Sequence, residues 1–231
     1  MADFYTAVPL SPLRKIIAAR MTEAKQTIPH FRLVMDVEMD GLLAWREQAS
    51  AAHPEEKVSV TDCVVKVCAA ALMEHPQVNS QLLDSQLHQY RRADISVVIA
   101  LKDGLSTPVV RGANEKGVRE IAAEIRALAT RAAAGKLRMD EILGGSFSIS
   151  NLGGYGVDQF DAIINSPQCA ILAVGRAKPQ MTVSESGATR VATILKATLS
   201  VDHRAIDGAT AATVLSTLRT LLEQPREVLG G

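Results

Sequence analysis

Apolar positions along the 231-residue chain switch between helical and alternating spacing, and they read as helices and strands in irregular order. Ser11 stands as an N-cap before Pro12 at the first helical position, and Ile16, Ile17, Ala19 and Met21 follow at helical spacing. Pro29 closes the next turn. Over residues 31–39, Leu33, Met35, Val37 and Met39 alternate with Arg32, Asp36 and Glu38, the period of a half-buried strand. Asp40 is expected to cap a second helix that contains Trp45 and ends near the loop 53–57. A third helix, 62–74, opened by Ser59 or Thr61, is apolar on most faces and must pack deeply.

The middle of the chain is richer in strands. Residues 81–90 read as a short polar hairpin, and 95–101 as a buried strand leading through a turn at 102–104 to a further strand at 107–110. Gly117 introduces an amphipathic helix with Val118, Ile121, Ala122, Ile125, Leu128 and Ala129 on one face, stopped by Gly135. Then come a strand at 146–150, a Gly-rich loop at 153–156 and a strand at 169–175. A hairpin with its turn near Ser186 and Gly187 returns along 191–201, and a last helix runs from about Gly208 to Glu223, closed by Pro225. No repeat or low-complexity linker interrupts this order. Helices and strands mix without strict βαβ alternation, which predicts one α/β domain, a two-layer sandwich with a mixed β-sheet.

Composition narrows the function classes. The chain is 47% apolar and 22% charged, the balance of a packed globular protein. Its 25 basic and 25 acidic side chains cancel, so it has no general field for nucleic acid or an anionic membrane. Four Phe, three Tyr and one Trp supply no row of stacking platforms for single strands. Cys63, Cys68 and Cys169 lack a CxxC pair or a histidine at metal spacing, so they are expected as buried reduced thiols, with no metal site, in the cytoplasm or another reducing compartment such as the mitochondrial matrix. The N-terminus carries an early acid and no basic region, unlike a secretory signal, and the apolar runs are too short to span a bilayer.

Two segments carry candidate chemistry. Around residues 197–208 an apolar strand ends in Asp202, His203, Arg204 and Asp207, and a helix starts at once. A histidine held at a buried strand end can serve as a general base near neutral pH. A lone histidine there is more often structural, but the ionisable residues crowded around it favour a purpose. His203 and Asp207, four apart, can share one side of a turn, and Gly208 permits close backbone approach. The second segment, 144–156, places Ser146, Ser148 and Ser150 on one face of a strand. One of them could donate to an oxyanion, although spacing alone favours a solvated face. The segment is neither a nucleophile elbow nor a phosphate loop. His30 is expected merely to end a turn, His53, His75 and His88 have no role, and Cys169 is a small apolar filler rather than a nucleophile paired with His203.

Residues 202–208, Asp-His-Arg-Ala-Ile-Asp-Gly, resemble the D-H-R-x-x-D-G signature of the catalytic domain of dihydrolipoyl acyltransferases, the core subunits of 2-oxo acid dehydrogenase complexes. Segments 9–21, 27–31, 146–156, 163–175 and the closing Leu-Leu-Glu-x-Pro match in the same order, so the resemblance covers essentially the whole chain. It implies a chloramphenicol acetyltransferase-like fold and homotrimers with active sites between subunits. It implies an acyl group, acetyl by the segments 27–31 and 150–153, moved between dihydrolipoamide and coenzyme A. By the same resemblance His203 is the base that takes the thiol proton, Ser150 the oxyanion donor, and Asp207 a residue holding the site, with Arg20 as candidate partner. The implied partners are a separate lipoyl domain, a 2-oxo acid decarboxylase and dihydrolipoamide dehydrogenase. Residues 1–231 read as a single catalytic domain with an N-terminal arm at 1–10. Family members usually carry lipoyl and subunit-binding domains ahead of this region. Their absence is expected to mean an excised domain or a stand-alone relative, and the Gly230–Gly231 ending argues against a closed 24- or 60-subunit shell. Two rivals are a stand-alone acetyltransferase acting on a small alcohol or amine, and a non-catalytic scaffold.

Overall fold

A computed structural model describes residues 4–101, 104–184 and 186–230. Helix α1 (Pro12–Thr27) begins at Ser11, whose hydroxyl accepts the Arg14 N–H, and runs past Met21, the last position of its apolar spacing, to Thr27. The chain then forms β1 (His30–Glu38) and α2 (Asp40–Ala52). Met39, rather than Asp40, occupies the cap position of α2; the Asp40 carboxylate instead accepts the Thr193 N–H of a neighbouring strand. Helix α3 (Val60–Glu74) opens with a capping box in which Ser59 and Asp62 satisfy each other's backbone N–H groups.

The polar hairpin forms as β2 (Ser80–Leu83) and β3 (Gln86–Gln89). The strand expected at 95–101 divides. β4 (Ile95–Val97) stays in the main sheet, while β5 (Ile99–Leu101) leaves it to pair with β6 (Gly104–Ser106). The cause is a short neighbour: β7 (Val109–Val110) pairs only with Ile95 and Ser96, so β5 satisfies its backbone in a half-exposed hairpin of its own. The turn residues 102 and 103 lie outside the described residues. After α4 (Val118–Ala133) come β8 (Phe147–Asn151), β9 (Ala170–Val174), β10 (Lys178–Val183), β11 (Thr189–Asp202), α5 (Gly208–Glu223) and a short α6 (Arg226–Leu229) beyond Pro225.

The main sheet runs β1-β11-β9-β8-β4-β7, with β10 on the outer part of β11. β4, β8 and β9 are parallel, and the pairs around β11 are antiparallel, so the sheet is mixed as expected. Register shows how its two faces divide. Leu33, Leu199, Leu172 and Ile149 form one cross-strand row and join the core under α3 and α5. Leu199, Leu172 and Ile149 are fully buried, each contributing about 1.5–3 kcal/mol, and Leu33 is half-buried. The adjacent row, Arg32, Ser200, Ile171 and Ser148, faces the other way, where Ile171 packs with Ala24, Ile28 and Ile164. The N-terminal half of α1 is unlike the other long helices: Leu13 and Ile16 are exposed, as are Phe4, Tyr5, Val8 and Leu10 before it. Among the described residues no helix is long and apolar enough to cross a membrane.

Candidate active site

His203 is placed by a turn that its immediate neighbours build. The buried Asp202 carboxylate accepts from the Arg204 guanidinium (Nε 3.0 Å, Nη2 2.7 Å) and from the Arg204 N–H at 3.0 Å. Its carbonyl accepts the N–H groups of Ala205 and Ile206, each at 3.0 Å. This tight turn leaves His203 exposed, while its N–H donates to the Pro29 carbonyl at 3.1 Å. Asp207 then caps α5, accepting the Thr210 N–H at 2.7 Å. That bond, helped by the Thr210 hydroxyl, holds the Asp207 carboxyl below the ordinary carboxylate range. His203 and Asp207 therefore share one corner, as their spacing suggests. Arg20 is not the partner of Asp207 within the chain; its guanidinium donates to the Ser166 carbonyl at 3.1 Å.

The serine strand corrects an expectation. Ser146, Ser148 and Ser150 do share a face, but it is buried, because β8 lies between β4 and β9 in the centre of the sheet. Ser146 donates to Asn79 Oδ1, and Ser148 donates to Gln168 Oε1. Gln168 in turn donates to Ser96 Oγ and the Gly145 carbonyl, both at 3.0 Å. Among the described residues the Ser150 hydroxyl has no hydrogen-bond partner, and the residue keeps 8% exposure. One of the three hydroxyls is thus free to donate to a ligand. Just beyond it Asn151 Oδ1 accepts the Gly153 N–H at 2.8 Å, and only glycine fits there, since a Cβ would lie 2.7 Å from the Gly175 carbonyl oxygen.

Within one chain the two candidates stay apart. Ser150 is in register with Ala173 of β9, and Ala173 with Thr198 of β11. His203 lies five residues further along β11 than Thr198. At about 3.3 Å per residue and 4.8 Å between strands, the separation is on the order of 20 Å. Sequence reasoning passed over Thr198 and Ser200, whose hydroxyls are buried on the same face as Ser150 with no partner among the described residues. Their alternation with Ala197, Leu199 and Val201 was the available signal.

Other candidates resolve into structural roles. His30 does more than end a turn: it bridges the Ile28 carbonyl at Nδ1 (2.9 Å) and the Ile164 N–H at Nε2 (3.1 Å). A carbonyl can only accept and an N–H only donate, so the imidazole is neutral with its proton on Nδ1. His75 bonds Thr217 across α3 and α5 at 2.9 Å. Burial pushes the Cys169 thiol upward, which disfavours the thiolate a nucleophile needs. Burial likewise pushes Cys63 up to about 12. A cavity of about 490 Å³ lined by Trp45, His53, Arg119 and Leu229 contains neither His203 nor Ser150. Among the described residues no group of three or more His, Cys, Asp or Glu side chains could hold a metal ion.

A family model described as 2-oxoacid dehydrogenases acyltransferase (catalytic domain) matches residues 3–230. The mitochondrial dihydrolipoyllysine-residue acetyltransferase component of the pyruvate dehydrogenase complex of Dictyostelium discoideum is 44% identical over 227 residues, which are 97% of this chain and 36% of that protein. The chain spans about a third to about half the length of the curated relatives it matches. Among solved structures, the cubic core of a pyruvate dehydrogenase multienzyme complex superposes with a TM-score of 0.94 at 33% identity, covering 99% of this chain and 96% of that one. The dihydrolipoamide acetyltransferase of Azotobacter vinelandii, studied for a serine, a histidine and an asparagine in its catalytic mechanism, gives 0.93 at 33% identity, covering 97% and 94%. Chloramphenicol acetyltransferase gives 0.54 at 16% identity, covering 89% and 92%, and shares the fold alone.

Proposed function

The chain belongs to the acyltransferase catalytic-domain family of the 2-oxoacid dehydrogenases, and on that footing we propose that it moves an acetyl group between dihydrolipoyl-lysine and coenzyme A. The observation that carries the reading is the pairing of an exposed His203 with a free Ser150 hydroxyl, too far apart in one chain to serve one reacting carbonyl. The site is completed between copies of the chain. His203 comes from one subunit and Ser150 from its neighbour, in a homotrimer. The exposed apolar arm from Phe4 to Leu10, continuing into α1, supplies surface for such packing.

The chemistry follows from the thiol. At neutral pH a thiol of pKa about 8.5 is mostly protonated, and only its thiolate attacks well. The His203 imidazole takes the proton of the coenzyme A thiol, and the sulfur adds to the thioester carbon of the acetylated dihydrolipoyl group. Ser150 donates to the oxygen that gains charge. The old carbon–sulfur bond then breaks, and the imidazolium returns its proton to the leaving dihydrolipoyl sulfur, so no acyl-enzyme forms. Asp207 holds the turn and the helix start. The Azotobacter enzyme was studied at a histidine and at an asparagine four positions after it, and His203 and Asp207 have that spacing here. The lipoyl group arrives on a separate domain, and the decarboxylase and dihydrolipoamide dehydrogenase of a 2-oxo acid complex are the partners, in a bacterial cytoplasm or a mitochondrial matrix.

The test is acetyl transfer from acetyl-CoA to dihydrolipoamide. The wild type should show it, and His203→Ala should lose about 10²–10⁴ in kcat, the range for a general base. Chains carrying His203→Ala and chains carrying Ser150→Ala, unfolded together and reassembled at equal ratio, should recover about a quarter of wild-type activity, because a quarter of the inter-subunit sites then hold both groups. No recovery on mixing would place both groups in one chain and sink the inter-subunit site. Absence of transfer by folded wild type would sink the activity.

A further inference from the structure

His203 sits in a turn and is exposed, and its backbone is held while its ring is not bonded by the turn's own groups. A base in such a place has about three χ1 wells and two ring orientations, so about six arrangements compete. One neighbour restricts them. The Phe31 ring meets the His203 ring edge-on, with centroids 5.1 Å apart and planes inclined at 76°. Phe31 reaches it because β1 and β11 pair Phe31 with Val201 and His30 with Asp202, so the start of one strand lies beside the end of the other. The N-terminus of α5 backs the Phe31 ring. A Cβ on Gly208 would lie 3.3 Å from Phe31 Cε1 and 3.5 Å from Cζ, so only glycine leaves the Phe31 ring where it is without a shift of a few tenths of an ångström.

We propose that Phe31 is a positioning residue for His203, holding the imidazole in one rotamer, and that Gly208 is glycine because it seats Phe31. The inference rests on the reading of His203 as the base. Phe31 does not take a proton or touch the transferred carbonyl; it raises the fraction of molecules whose base points at the thiol. Releasing six arrangements from one should therefore lower kcat by up to about 6-fold and leave KM for coenzyme A unchanged.

The experiment uses the full chain in its assembled form. Phe31→Leu should lower kcat by up to about 6-fold with KM for coenzyme A within 2-fold of wild type, and Phe31→Tyr should restore kcat. Gly208→Ala, which keeps Phe31 but displaces its ring by a few tenths of an ångström, should lower kcat in the wild-type background and add little to Phe31→Leu. The second readout needs no turnover: the rate of His203 carbethoxylation by diethyl pyrocarbonate, read by peptide mass spectrometry against His53 and His88. That rate should change at least 2-fold in Phe31→Leu and return in Phe31→Tyr. A rise in KM at unchanged kcat would make Phe31 a substrate contact and overturn the proposal, as would an unchanged His203 modification rate. If the wild type proves inactive, the function reading fails, and the modification rate alone still decides this one. Should Phe31→Leu not fold, Gly208→Ala carries the same two readouts.

Discussion

The two halves of the site are held in opposite ways. Around His203 the side-chain bonds are local, Asp202 with Arg204 two residues on and Asp207 with Thr210 three on, while the His203 N–H reaches across to the Pro29 carbonyl. Around Ser150 they are long-range and buried. Ser146 reaches Asn79, Ser148 reaches Gln168, Gln81 reaches the Gly145 carbonyl at 2.7 Å, and Asp94 gathers Arg111 and the Gly112 N–H. The local corner forms with the end of one strand and can be altered without loosening the sheet. The serine strand exists only once the sheet and its surrounding loops have assembled, and the hydroxyls of Ser146 and Ser148 cannot be removed without leaving a partner stranded. In the first region a substitution should be felt as chemistry or a small local change; in the second, which serine is touched decides between rate and stability.

The sharpest test of that division is within β8. Ser150→Ala should cost about 10²–10³ in kcat, the usual loss of one oxyanion donor, with a melting temperature close to wild type. Ser148→Ala should do the reverse, leaving Gln168 Oε1 unpartnered at about 1–3 kcal/mol of stability while initial rates stay near wild type. Initial-rate assays and thermal denaturation of the pair decide it; equal rate losses would mean the free hydroxyl is not special.

Next in size is Asp94. Burial alone would raise its pKa, but hydrogen bonds from Arg92, the Gly112 N–H and Arg111 outweigh that and hold it below the ordinary range. A depressed carboxylate contributes stability that is fully present above about pH 4, its unfolded pKa, and is lost as pH falls through the folded value. Asp94→Asn should therefore cost roughly 2–3 kcal/mol at pH 7, discounted because both arginines reach solvent. Urea denaturation at a series of pH values should show the gap between variant and wild type narrowing below about pH 4. A gap independent of pH would remove the charge from the explanation.

The smallest effect belongs to the local corner. Asp207→Ala removes the cap of α5 and should lower the melting temperature by about 2–4 °C, whereas Asp207→Asn, an equally good cap, should stay within about 1 °C. A loss in Asp207→Asn matching that in Asp207→Ala would show that the carboxylate charge, and not the cap, supports the turn.

The corner was largely legible in the sequence for the same reason that it is local. Ser11, Ser59 and Asp207 each stand at a helix start, and capping depends on residues three apart. Where a feature depended on a neighbour distant in sequence, local pattern misled. The strand at 95–101 read as one run but breaks after Val97, because its length was set by the two-residue β7. Asp40 looked like a cap, yet its carboxylate turned to Thr193.

By itself the sequence determined the order of elements, the mixed α/β class, the His203 turn with its helix start, and, through ordered motifs, the family. Each of these is carried by periodicity or by residues within a few positions of one another. Only the tertiary structure decided that the serine face is buried, that Ser150 alone of the three keeps an uncommitted hydroxyl, that His30 is a bridge, and that Phe31 lies against His203. A period of two fixes which side chains share a face but not what covers that face. Cover comes from strand order and register, and these also set the distance of about 20 Å that keeps His203 and Ser150 apart within one chain.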